Sequence, residues 1–367
     1  MTSDGPDTHG HGPAPRPGRP KLATVAALAG VSGSTASLAL RGSERVTPAT
    51  RERVRAAAAE LGYAGADPTA RSLRSRRSGI VGVVVGERLL YAFRDPVALQ
   101  VLEGLSEVLG PLGIGLLLLA GDTSRGGPAV EQLAQLPLDA AVFLSAGLPD
   151  DPALAHLRQR QVPVVVVEGP VADDLVLVGI ADREGTAVLA RHLRDLGHER
   201  AAVVALPLRL DGTRGPLDAD RAAGHAYAQV RHRLDGARDV FGPLPVLETA
   251  GNAVEEGELA GRALLDVAPD VRPTTVLAQS DLLAAGVLQA ARRLGLRVPE
   301  DVSVAGFDGV DLPWLAPVRL TTVEQPVAEK GRAAGRAVAA VLAGDRPDDL
   351  VLPVTLRLGT TTGPPPA

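Results

Sequence analysis

The chain has 367 residues, 45% hydrophobic and 22% charged, with a net charge of −5 and no cysteine. This is enough apolar material for two or three folded domains, and it excludes a disulfide framework, a thiolate nucleophile and any cysteine-based zinc site. The charge is divided unevenly: residues 16–77 hold twelve Lys or Arg against four acids, a net +8, and the remainder carries −13. A short basic part ahead of a large acidic one fits a nucleic-acid-binding head on a regulatory body, the plain alternative being a solvated basic helix face. The longest apolar runs, IVGVVVG from Ile80 and GIGLLLLAG from Gly113, fall far short of the roughly 18 residues a membrane span needs. The amino terminus has no apolar core behind a basic start, so no secretory signal is expected and the chain should act in the cytoplasm, away from membranes.

Residues 1–20 are mostly Gly, Pro, Ser, Thr and His with little to bury, and read as a disordered tail. His9 and His11 alternate there without a third ligand, so neither a metal site nor a cofactor is expected. From Leu22 the apolar spacing turns helical (Leu22, Val25, Ala26, Leu28, Ala29), with Gly30 as a stop signal. Ser32 is placed to cap a second helix through Thr35, Ala36, Leu38 and Ala39. Thr47, with Pro48 behind it, is placed to cap a third carrying Val54, Ala57, Ala58 and Leu61. This predicts a compact three-helix headpiece over 21–63. The breaker cluster AGADP and the basic TARSLRSRRSG after it form a linker, 64–78, that can become a short helix. From 79 to 367, Val- and Leu-rich runs alternate with helical patterns, which predicts parallel sheet covered on both faces. About ten strand-like runs exceed one comfortable sheet, so two doubly wound α/β subdomains are expected, with a ligand cleft at the carboxyl ends of their strands.

The segment from Val25 to Tyr63 resembles the DNA-binding headpiece of the lactose-repressor-like (LacI/GalR) family of bacterial transcription regulators. The resemblance rests on AGVS at Ala29–Ser32, Ser34, Thr35 and Ser37 in the second helix, RVTPATRERV at 45–54, and LGY at 61–63. It continues through ARSLRSRRSG, HLRDLGHERAAVVAL (192–206), RAAGHAYA (221–228), the 280–308 stretch and LTTVEQP (320–326). It implies a helix-turn-helix head and a periplasmic-binding-protein-like body. Its subdomains would take about 79–197 plus 324–345, and about 198–320 plus 348–362.

In such a head the second helix enters the major groove, with hydroxyls, amides and arginines on phosphates. Ser32, Ser34, Thr35 and Ser37 suit that task, although each alone is equally explained by capping or solvation. Leu22, Thr24 and Arg45 complete the expected DNA face. The usual base-reading side chains align with Gly33 and Ser34, and Leu38 stands where the family commonly carries an arginine. An Arg–guanine bidentate contact worth about 1–3 kcal/mol of discrimination is therefore absent. In the linker the resemblance implies that Leu73 wedges into the minor groove between Arg71 and Arg74. The alternative is that Leu73 packs the linker on the body.

For the body the resemblance implies a small, sugar-like effector. Asp182 and Arg183 (VLVGIADR), Arg221, Asp281 and Asp308 (AGFDG) match ligand-contacting positions, and Asp95 joins them. Tyr91, Phe93 and Trp314 are candidates to stack on a ring. Asp182 and Asp281 have a competing reading as helix N-caps. An enzyme is disfavoured: FLSAG around Ser145 lacks the glycine of a nucleophile elbow, and no phosphate-binding glycine loop occurs. The expectation is a homodimeric regulator, most simply a repressor, that binds a palindromic operator in double-stranded DNA with affinity set by the effector. The rival is a ligand-unresponsive architectural or constitutive DNA-binding protein.

Overall fold

The computed structural model describes residues 20–63, 77–85, 92–120, 130–144, 151–169, 171–224 and 227–366. Arg71, Leu73, Arg74, Tyr91 and Ser145 lie outside the described residues. The chain divides into two compact units, Met1–Ser78 and Gly79–Ala367.

In the first unit, helices α1 (Leu22–Leu28), α2 (Gly33–Leu40) and α3 (Pro48–Glu60) enclose a core of small side chains, among them Val25, Ala26, Ala36, Ala39, Val54, Ala57 and Ala58. Local chemistry sets where each helix begins and ends. Ser32 Oγ accepts the Thr35 amide at 3.1 Å, and Thr47 Oγ1 accepts that of Thr50 at 3.3 Å with Pro48 at the first helical position. Each helix stops at a glycine in the left-handed region, Gly30, Gly42 and Gly62. The next residue's amide then bonds back to a carbonyl in the last turn: Val31 to Ala26, Ser43 to Leu38 and Tyr63 to Ala58. This arrangement satisfies carbonyls that a helix end would leave bare, and it needs a residue without Cβ strain. Across the first such stop, α1 and α2 meet at 98°, as in a helix-turn-helix.

The second unit holds two sheets. Strands β1 (Ile80–Val85), β2 (Gly115–Ala120), β3 (Ala140–Leu144), β4 (Val164–Val167) and β5 (Val176–Ile180) form an all-parallel sheet in the order β12-β5-β4-β3-β1-β2, with β12 (Leu350–Leu352) at one edge. Helices α4 (Pro96–Leu109), α5 (Val130–Gln135), α6 (Pro152–Gln159) and α12 (Val327–Ala343) cover it. The other sheet has the order β13-β11-β10-β9-β6-β8-β7. Its members are β6 (Ala201–Ala205), β7 (Gly215–Pro216), β8 (Val246–Glu248), β9 (Thr275–Ala278), β10 (Ser303–Asp308), β11 (Thr321–Glu324) and β13 (Thr355–Arg357). It is parallel except at its two edges, β13 and β7. Helices α7 (Asp182–Asp195), α9 (Ala228–Phe241), α10 (Val254–Leu265) and α11 (Asp281–Arg293) pack on it, and α8 (Ala219–Ala223) lies in the connection after β7. Strands apolar on both faces, such as VVVV at 164–167, are buried throughout because helices lie above and below.

The lobe boundaries differ from those expected. Helix α7 was assigned to the first lobe by an expected break near 197. Its Leu189, Ala190 and Leu193 instead share the core of the second sheet with Val203, Ala205 and Phe307. Strand β12 was expected in the second lobe, but pairs with β5 in the first sheet. The chain therefore changes lobes near Ala181, between β11 and α12, and between β12 and β13. Gly236 makes the α7–α9 contact possible, since a Cβ there would stand 2.4 Å from the Arg183 carbonyl oxygen. Among the described residues, no single helix is long and apolar enough to cross a membrane, and no cluster of three or more His or acidic side chains could hold a metal.

Candidate functional site

On the head, Thr24, Ser32, Gly33, Ser34 and Arg45 are exposed, and Thr35 and Ser37 are half-buried. Ser32 Oγ also lies 2.9 Å from Ser34 Oγ and 2.8 Å from Thr35 Oγ1. The amino end of α2 is thus a knot of hydroxyls at a helix start where Ser32 caps the Thr35 amide, an arrangement that suits phosphate oxygens. Leu22 and Leu38 are half-buried against the head core. Position 38 therefore contributes packing where an arginine would contribute donors. Nothing lies within 4 Å of a Cβ added at Gly33, so the glycine there is not required by crowding within the head.

Between the two lobes of the body, at the carboxyl ends of β1, β3, β4, β6 and β10, lies a cavity of about 110 Å³. Asp95, Glu168 and Gln325 line it beside β1, β4 and β11, and Gln229, Arg233, Asn252 and Asp308 line it from the second lobe. Arg233, 4% exposed, is central. Its Nε donates to Asp182 Oδ1 at 2.7 Å and its Nη1 to the Gln279 carbonyl at 2.6 Å. Asp308 Oδ1 stands at 3.4 Å and Glu168 Oε1 at 3.5 Å, and the guanidinium lies 3.8 Å over the Phe307 ring. Lys330, fully buried, pairs with Glu168 at 2.9 Å and donates to Gln325, whose own amide donates to Asp308 at 2.7 Å. Asn252 spans the cleft, donating from Nδ2 to Asp95 Oδ2 at 3.2 Å while its Oδ1 accepts from Ser280.

Burial pushes three of these carboxyls up. Asp182 rises to about 6 despite Arg233, Asp308 rises well above its ordinary value against the same arginine, and Asp95 rises against its bonds to Val97 and Asn252. Burial alone would favour neutral Arg233, but Asp182, Asp308 and Glu168 outweigh it and hold it charged. Two backbone outliers mark the same place: Asp308 at φ +119° and Glu168 at +52°. Non-glycine residues held there store about 1–3 kcal/mol each, and such strain gathers at ligand sites. Gln229, 8% exposed, lines the cavity and carries a buried Oε1 without a hydrogen-bond partner among the described residues. The cavity is rich in acceptors and its cations are already engaged.

Comparison with known proteins agrees with both halves. Residues 21–65 match the family model for bacterial regulatory proteins of the lacI family, and residues 190–362 match a periplasmic binding protein-like domain. The HTH-type transcriptional regulator Rv3575c of Mycobacterium tuberculosis is 35% identical across 96% of this chain and 99% of its own length. The chain belongs to the LacI family. The transcriptional repressor CytR of Escherichia coli is 32% identical over 84% of this chain and 86% of its own length. A solved transcriptional regulator CelR–cellobiose complex superposes with a TM-score of 0.65 at 31% identity, covering 94% of this chain and 100% of the other. This LacI-family chain is accordingly a DNA-binding transcriptional regulator with a periplasmic-binding-protein-like body.

Of the residues the sequence singled out for effector contact, Asp95 and Asp308 line the cavity. Asp95 also caps α4, accepting from Val97 at 2.8 Å. Asp182 lies one layer back, holding Arg233. It is not an N-cap, since α7 begins at Asp182 itself without a side-chain cap. Asp281 is not an N-cap either: Ser280 caps α11. Asp281 is fully buried behind β10, accepting from Val310 N at 2.9 Å and Thr322 Oγ1 at 2.5 Å, and burial pushes its carboxyl up to about 7. Arg183 is exposed and pairs with Asp239 at 2.7 Å. Arg221 pairs with Glu248 and Asp211 outside the cavity lining. Phe93 and Trp314 are exposed, at 54% and 58%, and do not line the cavity.

Sequence reading missed Glu168, Gln229, Arg233, Asn252 and Gln325. Two of them had a signal. The Arg-x-x-Gly spacing contained in RAAGHAYA, Arg221–Gly224, recurs at Arg233–Gly236, and Gln325 stands inside LTTVEQP.

Proposed function

We propose that this regulator is a repressor that binds a palindromic operator as a homodimer, with an affinity set by a sugar-like ligand held between the lobes of its body. The observation that carries the ligand reading is the acceptor-rich cavity around Arg233, with the unpartnered Gln229 Oε1 in its wall. Hydroxyls supply the donors such a wall lacks. A ligand touching Asp95 from one lobe and Asn252 or Asp308 from the other changes the relative stability of open and closed lobes. Only such a difference in affinity between states can shift DNA binding. The cellobiose bound by CelR and the repressor CytR support the same reading. A two-fold dimer would present two heads to two half-sites, as helix-turn-helix proteins require for a long operator.

The test is selection from random duplexes by the full-length protein, with and without a panel of neutral sugars. Enrichment of a palindrome that one sugar abolishes is the expected result. Retention of DNA without a consensus would replace this reading with the architectural one, as Gly33 and the packed Leu38 would then have left the head without base readout.

A further inference from the structure

The connection between β6 and α9 runs from Leu206 to Tyr227, and among its described residues it contains only the two-residue β7 and the five-residue α8 as regular structure. It nevertheless reaches the cavity, where Leu206, Pro207, Leu210 and Tyr227 form part of the lining. Leu208 and Tyr227 are buried with Val230 in an apolar cluster that Leu206, Leu210 and Leu217 complete. One arginine ties the segment down. Arg221 donates to Glu248 through Nη2 at 2.7 Å and through Nε, and to Asp211 at 2.9 and 3.0 Å. Glu248, 2% exposed at the end of β8, also accepts the Leu208 amide at 2.7 Å. Asp218 caps α8 by accepting from the Arg221 amide, and Arg231 donates to the carbonyls of Ala222 and Gly224. A buried carboxylate without a cation is costly, so Glu248 selects the conformation in which Arg221 reaches it. That conformation sets Leu206, Pro207 and Leu210 against the cavity.

We propose that Leu206–Gly224, latched by Arg221 on Glu248 and Asp211, is a lid that fits the cleft to a single uncharged, hydroxyl-rich ring and shuts out disaccharides and phosphorylated sugars. The inference rests on the sugar reading above and narrows it. The size limit follows from volume: the cavity of about 110 Å³ is smaller than the roughly 150 Å³ that accommodates one benzene ring. One sugar ring, larger than benzene, already requires Leu206 and Leu210 to give way, and a second finds no room beneath the latched segment. The charge limit follows from the network. Among the described residues, the cations that face Asp95, Glu168, Asp182 and Asp308 are Arg233 and Lys330, and both already hold carboxylates. A phosphate would enter a surplus of acceptors with no unengaged cation among the described lining residues to meet it.

The experiment is calorimetric titration of the full-length protein with a panel of neutral aldohexoses and aldopentoses, their phosphate monoesters, and cellobiose. The wild type is compared with Arg221→Met, which opens the latch, and with Leu210→Ala, which trims the lining and leaves the latch intact. The wild type should bind at least one monosaccharide at least 100-fold more tightly than its phosphate and than cellobiose. Both variants should raise the cellobiose-to-monosaccharide affinity ratio at least tenfold. Circular dichroism establishes that each variant is folded, and Leu210→Ala carries the test if Arg221→Met is not. Wild-type binding of cellobiose or a sugar phosphate as tight as that of the monosaccharide overturns the lid and leaves the sugar reading standing, as does an unchanged ratio in a folded Leu210→Ala protein. Failure of every neutral sugar to bind overturns the sugar reading and the lid together.

Discussion

Two segments of the body carry the same Arg-x-x-Gly spacing twelve residues apart and put it to different uses. Arg233 is buried among three carboxylates at the lobe junction, and Gly236 lets α9 close on α7. Arg221 is 16% exposed, holds a surface connection to β8, and is followed by a glycine whose added Cβ would meet the end of the Arg209 side chain and, at 3.4 Å, the Arg221 carbonyl oxygen. Identical residue types at identical spacing thus become a cation of the inter-lobe cavity in one place and a loop fastening in the other. What separates them is the packing of the helix that carries them.

The largest effect that could break this contrast is the loss of Arg233. Arg233→Met leaves Asp182, Glu168 and Asp308 without their shared cation and should cost about 3–5 kcal/mol in urea denaturation of the full chain. Arg221→Met should cost less, about 1–3 kcal/mol, because one of its two acid partners, Asp211, is largely open to water. Equal costs would mean that burial of the two networks is not what distinguishes them.

A pH series sharpens the same point at Asp281. Its native carboxyl sits at about 7 against an ordinary 3.8, so between those values the native state holds a proton that the unfolded chain has released. The body therefore loses stability as pH rises through that window. Asp281→Asn can keep the bonds to Val310 and Thr322 without the charge. It should flatten the fall in Tm between pH 4 and pH 7 and gain on the wild type at pH 8. A variant that stays parallel to the wild type would show that Asp281 titrates normally in the folded protein.

The smallest effects come from the two glycines. Gly236→Ala forces a Cβ onto the backbone of α7 and should cost about 1–3 kcal/mol by overpacking. Gly224→Ala meets chiefly the end of the long Arg209 side chain, with the Arg221 carbonyl oxygen at an ordinary 3.4 Å, and should cost less, about 0.5–1 kcal/mol. Comparable losses at both positions would place Gly224 in a crowded site as well.

The head was legible almost residue by residue because its determinants are local. Ser32 and Thr47 cap the helices the sequence assigned to them, and Gly30 and Gly62 stop helices where a left-handed turn is needed. The parallel sheets were legible from unbroken Val and Leu runs. The lobe boundary near Ala181 was not, since the apolar stripe of α7 suits either sheet and the actual choice depends on Gly236, some fifty residues away. Asp182 and Asp281 failed as caps for a related reason: each stands at a helix start, but each is drawn to a partner distant in sequence, Arg233 or Thr322.

By itself the sequence determined the three-helix head, the α/β body with a cleft at strand ends, and the family, because capping residues, helix-stopping glycines and apolar periodicity act within a few residues of one another. Only the tertiary structure decided which arginine enters the cleft, which acids it gathers and which segment lies against the cavity. Those outcomes depend on the burial of charges brought together from 168, 182, 233, 308 and 330. The free energy of a buried ion depends on what surrounds it in space, and no spacing along the chain encodes that.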